Sequence, residues 1–452
     1  MILLTALLGM FAVGAPAASA AGTDEFQEGW ARAADVAARI HDPVIPRRDY
    51  VVTDYGAIGD GRTDARPAIM AAIDAANQDG GGRVVLPPGT WFTDGPVHMK
   101  SNVELHVEKG ATLLFTDDTD AYLPQVFTRF EGTELYNYSP LIYGRDVTNV
   151  AVTGEGTIDG NAEHGFAPWR DLQTPAQNKL REMGATGVPV DQRVFGKGDF
   201  LRPNMIQFVN ATNVLLEGYT AVDSPMWVNH VLYSTNVTVR DVHVDSHRLN
   251  NDGIDVDSSD DVLIEGCAFD TGDDSVAIKS GRDQDGWRVG RPSTDVIVRD
   301  NQMTGQNALA VGSEMSGGVS NVFMEDNTLV DVASAIYFKS NPDRGGYIED
   351  VWVRDIKVGD ADELLRFQTD YKGWRGELHP VTYRNFYLQD ITAKHVNVGI
   401  DATGHDLGPP ISNVRVRDMK VDRADTPLIL RNVEGLVLED VRMNGEQLPE
   451  RP

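Results

Sequence analysis

The chain has 452 residues, and 41% of them are hydrophobic, which is enough for a large buried core. Its formal net charge of −28 favours a well-hydrated surface and argues against nucleic acid as a general partner. Cys267 is the single cysteine, so an internal disulfide is excluded, and the strand-like residues around it predict a buried thiol.

Residues 1–20 resemble a secretory signal peptide. The apolar run from Ile2 to Val13 is followed by Ala18-Ser19-Ala20, the small-residue pattern of a cleavage site. This run is too short to span a bilayer, and no other apolar stretch is long enough. We therefore predict a secreted or periplasmic protein with no membrane partner. The mature chain, residues 21–452, is predicted to be one monomeric domain whose first part, to about residue 100, forms a cap.

The cap is predicted to contain two helices with a strand between them. The helices are expected from Glu25 to Ile40 and from Arg66 to Asn77, the second with Thr63 or Asp64 as its N-cap, and the strand covers residues 50–57. We expect the second helix to cover one end of the following solenoid, because an exposed terminal coil would be an open sheet edge. Its buried stripe is predicted to be Ile69, Ala72, Ile73 and Ala76.

A short phrase then recurs along the chain: Asn or Asp, alternating apolar residues, and a closing Asp, Asn or Gly. Its varying spacing predicts an all-β fold, a single-stranded right-handed parallel β-helix, because turns between stacked strands can lengthen without disturbing the stack. A propeller or an antiparallel sandwich would not explain the recurring Asn or Asp. The copies begin at Asn149, Asn213, Asn236, Asp261, Asp295, Asn321, Asp350 and Asn413, with a weaker last copy at Leu436.

Two segments lack this pattern. Residues 122–138 are less regular and are expected to loop out of the stack. Residues from about Ala162 to Gly198 are polar and contain Pro and Gly, so we expect a long insertion beside a groove, where such excursions often serve function.

Acidic residues follow two successive copies of the phrase. Asp252 follows the copy at Asn236, and Asp273 and Asp274 follow the copy at Asp261. Neighbouring coils lie ~4.8 Å apart, so residues at matching places become neighbours in space. Carboxylates this close repel one another, and at least one keeps its proton to a higher pH. A proton donor beside an ionised partner is typical of a glycosidase.

The next two coils carry other polar groups at the corresponding place. Gln306 and Asn307 follow the copy at Asp295, and Lys339 follows the copy at Asn321. We therefore predict one column of three acids, an amide and a lysine on a single face of the solenoid.

Five motifs stand out along the mature chain. They are Asn250-Asn251-Asp252, Gly272-Asp273-Asp274, Ile278-Lys279-Ser280-Gly281-Arg282, Gly312-Ser313-Glu314-Met315-Ser316-Gly317-Gly318 and Asp343-Arg344-Gly345-Gly346. Together they resemble glycoside hydrolase family 28, the polygalacturonase-like enzymes, and the likeness covers most of the mature chain. The last three motifs are most similar to bacterial, exo-acting members.

The resemblance implies a role for each acid. Asp273 would protonate the glycosidic oxygen, and Asp252 and Asp274 would hold and deprotonate the attacking water, so that hydrolysis inverts the anomeric centre. The implied substrate is a galacturonate-containing pectic polysaccharide or oligosaccharide. The resemblance implies neither a metal nor another cofactor.

Two departures from the family pattern concern substrate binding. A family histidine is replaced here by Gln306 or Asn307, whose amide can hydrogen-bond a sugar but cannot carry the imidazolium charge. A family arginine is replaced by Tyr337, while the lysine of the same block remains as Lys339. Arg344 or Lys279 could compensate for this arginine. Asn250 is also a candidate for substrate contact.

Two alternatives remain open from the sequence. A calcium-dependent eliminase of the pectate-lyase type could use the same fold. A β-helix that binds glycans without effective chemistry is the other, because the family histidine is missing.

Overall fold

The structure, a computed structural model, describes residues 24–371 and 373–452, so the predicted signal peptide lies outside the described residues. The α-helices of these residues are α1 (Glu25–Ala37), α2 (Arg66–Gln78), α3 (Thr174–Ala185) and α4 (Asp283–Val289). Short 3₁₀ helices cover Val52–Tyr55, Thr119–Tyr122, Ala167–Asp171 and Val190–Gln192.

Strands make up most of the described chain. They are β1 (Asp49–Val51), β2 (Gly82–Leu86), β3 (Gly89–Thr93), β4 (Val97–His98), β5 (Val103–Val107), β6 (Ala111–Phe115), β7 (Val126–Phe130), β8 (Thr133–Asn137), β9 (Ile142–Arg145), β10 (Thr148–Thr153), β11 (Thr157–Asp159), β12 (Ile206–Val209), β13 (Thr212–Glu217), β14 (Thr220–Val222), β15 (Asn229–Leu232), β16 (Thr235–Arg240), β17 (His243–Ser246), β18 (Ile254–Asp257), β19 (Asp260–Glu265), β20 (Ala268–Thr271), β21 (Val276–Lys279), β22 (Ser293–Arg299), β23 (Gln302–Gly312), β24 (Val319–Glu325), β25 (Thr328–Lys339), β26 (Tyr347–Gln368), β27 (Thr382–Thr403), β28 (Ile411–Arg431), β29 (Val433–Glu439), β30 (Arg442–Met443) and β31 (Glu446–Gln447).

These strands stack in three parallel sheets, each coil adding one strand to every sheet. The first stack runs β5, β10, β13, β16, β19, β22, β24, and the second runs β11, β14, β17, β20, β23. The third runs β9, β12, β15, β18, β21 and the second half of β23. The long strands β25–β28 pass through several sheets. The predicted right-handed parallel β-helix is confirmed.

The recurring phrase occupies the first stack in register. Val214 pairs with Val237, and Val237 with Val262, so the apolar positions of successive copies fill one interior column. The opening residues have left-handed backbone, with φ of 59° at Asn213 and 57° at Asn236, a conformation that Asn and Asp tolerate better than most residues. The Asn236 amide also donates to Asn213 Oδ1 at 2.7 Å. Turn geometry and stacking therefore explain the recurring Asn or Asp.

One further copy of the phrase was not predicted from the sequence. It begins at Asn385, which has φ of 64°, and lies on β27, where Phe386 takes the interior position between Val351 and Val414. Its aromatic residues conceal the aliphatic alternation that marks the other copies.

The two N-terminal helices cover different parts of the solenoid. The predicted stripe of α2 is buried, and this helix packs on β1, β2, β4 and β5 at the first coils. By contrast, α1 lies along the side, where its apolar face covers a column of outward residues from five phrase strands. That column is Leu263, Ile297, Phe323, Trp352 and Tyr387.

Two boundaries and one N-cap in this region differ from the prediction. Helix α1 ends at Ala37 rather than Ile40, and strand β1 ends at Val51, where the chain tightens into a 3₁₀ turn. Helix α2 begins after Ala65, so neither Thr63 nor Asp64 is its N-cap; Asp64 instead accepts the backbone N–H of Arg66 at 2.9 Å.

Both irregular segments fold over the third sheet. Residues 122–138 contain the antiparallel hairpin β7–β8 rather than an open loop, and the insertion contains α3. Their apolar side chains form one satellite core with residues below them, and Arg129 on the hairpin makes a buried ion pair with Asp257 at 2.8 Å. These two segments therefore build a wall above the sheet.

Cys267 is buried as predicted, with 2% of its surface exposed. No helix within residues 24–371 and 373–452 has the length and apolarity needed to cross a bilayer.

Candidate active site

A cavity of about 530 Å³ opens where the chain turns from the second sheet into the third. Its floor carries Asp252, Asp273 and Asp274, and its walls come from α3, the β7–β8 turn and the loop at Tyr371 and Trp374. Helix α3 belongs to the insertion, so the segment expected to flank a groove does so.

The three acids meet because their turns precede paired strands. Asp252 precedes β18, Asp273 and Asp274 precede β21, and Ile254 pairs with Val276. One carboxylate oxygen of each acid lies within 4.8 Å of the other two. The three acids therefore lie as close together as the repeat spacing predicted.

Lys339 and Asn307 complete the predicted column, and both bind Asp274. Lys339 Nζ donates to Oδ1 and Oδ2 of Asp274 at 2.9 Å each, and Asn307 Nδ2 donates to Oδ1 at 2.7 Å. Gln306 is exposed on the other side of this turn, in a second cavity beside His247. Neighbouring residues of an extended chain point in opposite directions, so only one of the two amides can face the acids.

Lys279 sits among protein carboxylates rather than at a free substrate position. Its Nζ is 3.7 Å from Asp252, 3.6 Å from Asp255, 3.8 Å from Asp274 and 3.6 Å from Glu314. Burial opposes its charge, yet these carboxyl groups hold the pKa of Lys279 well above its ordinary value. Lys279 therefore acts as a shared counter-ion beneath the floor.

The acids differ in what neutralises them. Burial, then the charges of Asp255 and Asp273, raises the pKa of Asp252 well above its ordinary value. Burial, then the charge of Asp274, raises the pKa of Asp273. Asp273 accepts the backbone N–H of Asn250 at 3.1 Å but makes no ion pair among the described residues, whereas Asp274 contacts Lys339. Asp273 is therefore the acid least supported as an anion by a cation.

Asp255 is a fourth carboxyl group that the sequence reasoning missed. It is fully buried, and neither of its oxygens has a hydrogen-bond donor within the described part of the chain. Burial is the main reason why its pKa is raised well above the ordinary value. It lies inside the Ile254-Asp255-Val256 strand pattern, which marks it as outward-facing but does not show that it is buried.

Arg344 and Tyr337, both proposed from sequence as substrate contacts, lie behind the cavity surface. Arg344 is fully buried and donates to Asp283 at 2.5 Å and to Glu314 at 3.1 Å. Tyr337 donates its hydroxyl to Gln368 at 2.5 Å, and burial raises its pKa to about 12. Neither lines the cavity, so neither compensates for the missing family arginine there.

Glu314 lines the wall that Arg344 supports. Burial opposes its ionisation, but Lys279, Arg282 and Arg344 hold its pKa well below the ordinary value. It lies in the motif Gly312–Gly318, so the resemblance marked the segment without indicating that this side chain reaches the cavity.

Asp343 fixes the loop that forms the Trp374 wall of the cavity, a role that the sequence did not indicate. Its Oδ2 accepts the backbone N–H groups of Trp374 at 2.6 Å and Arg375 at 2.8 Å, and its Oδ1 accepts that of Glu377 at 2.5 Å. Arg375 then reaches Glu182 on α3 at 2.6 Å. The loop and the insertion are thus joined across one side of the cavity.

Asn250 is placed at the cavity surface, beside the acids. It lines the cavity, and its side-chain oxygen accepts a hydrogen bond from Arg202 at 2.7 Å. Its backbone has φ of 64°, which turns its N–H toward Asp273. Its amide nitrogen remains available to a ligand.

Within the described residues, two groups of side chains have the oxygen or nitrogen spacing of a metal site. One is Asp252, Asp273 and Asp274, but Lys339 Nζ already contacts both oxygens of Asp274, and a second cation there would be repelled. The other is Asp245, His247 and Asp270, which lies outside the cavity.

Comparison with known proteins gives consistent matches. The family model for glycosyl hydrolases family 28 matches residues 125–434, and a rhamnogalacturonase A/epimerase, pectate lyase-like model matches residues 50–112. A probable polygalacturonase from Vitis vinifera is 30% identical over 408 residues, which cover 85% of this chain and 77% of the relative. An exo-poly-alpha-D-galacturonosidase from Dickeya chrysanthemi is 27% identical, with 81% and 65% covered.

The fold comparison agrees with the sequence matches. The crystal structure of a hyperthermoactive exopolygalacturonase from Thermotoga maritima superposes with a TM-score of 0.88 and 39% identity, covering 94% of this chain and 97% of that one. A polygalacturonase structure from Erwinia carotovora, at 21% identity and a TM-score of 0.66, shares the fold.

Proposed function

Because the chain belongs to family 28 of the glycosyl hydrolases, we propose that its cavity hydrolyses glycosidic bonds of galacturonate-containing pectic polysaccharide or oligosaccharide. The observation that carries this proposal is the cluster of Asp252, Asp273 and Asp274 on the cavity floor, with oxygens within 4.8 Å. Carboxyl groups with different protonation states are what acid/base cleavage of a glycosidic bond requires.

Asp273 acts as the general acid in this proposal. Burial raises the pKa values of both Asp273 and Asp252, but Asp252 lies 3.7 Å from Lys279 Nζ, whereas Asp273 makes no ion pair with a described cation. It is also less deeply buried than Asp252 and Asp274, so it can meet the glycosidic oxygen of a bound chain. Donation of its proton lets the leaving sugar depart as a neutral alcohol.

Asp252 and Asp274 hold and deprotonate the attacking water. Lys339 and Asn307 donate hydrogen bonds to Asp274, and Lys279 Nζ lies 3.7 Å from Asp252 and 3.8 Å from Asp274. Inverting enzymes usually separate their carboxyl groups by about 6.5–9.5 Å, whereas the oxygens here are closer. Inversion therefore rests on the family relationship rather than on the carboxylate spacing.

Action from a chain end is supported by the walls of the cavity. The insertion and the loop at Trp374 meet through Arg375 and Glu182, which restricts the passage of a long chain past the floor. The 39% identity to an exopolygalacturonase over almost the whole chain points the same way. Export to the periplasm or the medium, inferred from residues 1–20, would bring the enzyme to pectic material.

Product chromatography tests this function directly. Incubation with polygalacturonate should release galacturonate or short oligomers with new reducing ends, without the ultraviolet absorbance of an unsaturated product. A chelator should leave the rate unchanged. Absorbing product and a chelator-sensitive rate would establish the eliminase, and binding without turnover would establish a glycan-binding protein.

The stereochemical course needs a separate measurement. Proton nuclear magnetic resonance of the first product formed should show the anomer opposite to that of the substrate linkage. Formation of the same anomer would replace the water-activating roles of Asp252 and Asp274 with a covalent glycosyl intermediate.

A further inference from the structure

Most cations around the cavity are already bound to carboxylates of the protein. The cavity is lined by Arg170, Arg181, Lys279, Arg282 and Lys339. Arg181 contacts Glu131 at 2.8 Å, Arg282 contacts Glu314 at 3.2 Å, and Lys339 contacts Asp274 at 2.9 Å. Lys279 is shared by four carboxyl groups.

Arg170 is the exception within the described residues. It lies on the 3₁₀ helix Ala167–Asp171 of the insertion, lines the cavity, and makes no hydrogen bond or ion pair with the described chain. Its Nε is buried without an acceptor. The guanidinium has no anionic partner in the described chain, so a ligand carboxylate that reaches its terminal nitrogens Nη1 and Nη2 would be bound strongly.

Arg170 lines the same cavity as the three acids. It is also close enough to Arg202 for its charge to contribute, after burial, to a pKa of Arg202 that is lowered to about 10. Arg202 in turn donates to Asn250, whose backbone N–H binds Asp273. Arg170 and Asp273 therefore both lie in the part of the cavity next to Arg202.

We propose that Arg170 binds a uronate carboxylate of the substrate and so supplies the recognition that the family arginine, here Tyr337, no longer provides. The planar guanidinium can bind a carboxylate through two parallel hydrogen bonds, which a neutral sugar cannot accept in the same way. Arg170 is thus a specificity-determining residue for charged sugars. This inference rests on the proposed function, because it assumes a galacturonate chain in the cavity.

Steady-state kinetics of Arg170→Gln on two substrates tests the inference. The substrates are a galacturonate trimer and its fully methyl-esterified form, which lacks the charge. We expect KM for the charged trimer to rise about 10- to 100-fold with kcat little changed, and KM for the ester to change less than about twofold. Arg170→Lys should retain part of the preference for the charged trimer, because lysine keeps the positive charge but cannot make the two parallel hydrogen bonds of a guanidinium.

Lys179→Gln is the matched control. Lys179 lies on α3 of the same insertion, is exposed, and packs over Phe195 outside the cavity. Removing its charge should leave the KM of both substrates unchanged. An equal effect of both substitutions would reduce the role of Arg170 to general attraction and overturn the proposal.

Calorimetric binding to the Asp273→Asn variant tests the role of Arg170 separately from the proposed hydrolytic function. There the trimer should bind ~10- to 100-fold more weakly when Arg170 is also replaced by Gln, and the ester should bind equally to both proteins. Equal loss for both ligands, or no loss, would overturn the role of Arg170. Absence of trimer hydrolysis by the unmodified enzyme would instead contradict the proposed function, whatever the binding result.

Discussion

Lys339 Nζ lies 2.9 Å from both carboxylate oxygens of Asp274, and the two side chains are 9% and 1% exposed. Removing one partner of a buried pair leaves an uncompensated charge, so Lys339→Met should lower the free energy of unfolding by about 3–5 kcal/mol. Urea denaturation measures this loss.

A surface pair gives the control for that prediction. Lys109 contacts Glu155 at 3.1 Å, with 83% and 70% of their side chains exposed, and Lys109→Met should cost less than about 1 kcal/mol. Replacing Asp274 by Asn together with Lys339→Met should recover part of the stability, and similar losses in the single and double variants would argue against the pair as the cause.

Asp273→Asn should lower kcat by about 10²- to 10⁴-fold with little change in KM, because an amide cannot donate the proton that the leaving oxygen needs. A general acid must be protonated to act, and burial raises the pKa of Asp273. The activity of the unmodified enzyme should therefore fall as pH rises through that pKa. Asp270→Asn, on the turn side outside the cavity, should keep full activity. If Asp273→Asn retained normal turnover, another acid would have to serve.

Asp255→Asn should stabilise the protein above about pH 4, where the unfolded chain releases the proton of an ordinary Asp. The buried Asp255 keeps its proton to higher pH because burial raises its pKa. The native state then binds more protons than the unfolded state, and stability falls as pH rises until the raised pKa is passed.

Thermal unfolding across a pH series measures this effect. The amide variant should show a shallower decline and a midpoint higher by a few degrees. The exposed Asp245→Asn should leave the slope unchanged. A steeper decline in Asp255→Asn would mean that Asp255 is ionised and supports Lys279.

Asp343→Ala should convert part of the activity from chain-end to internal cleavage. It removes the acceptor of three backbone N–H groups in the loop that carries Trp374, so this wall should move away from the cavity. The ratio of viscosity loss to reducing ends released from polygalacturonate should rise severalfold. Arg423→Ala breaks only an exposed pair with Asp425, away from the residues that line the cavity, and should keep the original product pattern.

The solenoid and its acidic column were predictable because both depend on short-range spacing. The copies of the phrase that begin at Asn236 and Asp261 fix two paired strands, and Asp252 and Asp273 follow them at similar distances, so stacking brings the two acids together. The choice between Gln306 and Asn307 was not predictable, because a shift of one residue turns a side chain to the other side of the strand.

Other members of the site depend on contacts between distant segments. Arg344 is basic and lies in a family-like motif, yet it is buried against Asp283, 61 residues earlier. Asp255 appears solvent-facing in its strand, yet it is fully buried, 3.6 Å from Lys279 Nζ. Arg170 lies in an insertion without periodicity, so no pattern in the sequence placed it at the cavity.

Asn213 receives the same kind of amide contact from Asn236, 23 residues later, that it makes to Asn149, 64 residues earlier. A coil can therefore contain an insertion long enough to form a helix and still make the same stacking contact with the next coil. The segment that supplies Arg170 and α3 is such an insertion. New selectivity could evolve on this scaffold by exchange of insertions, while the turns that carry the acids keep their alignment.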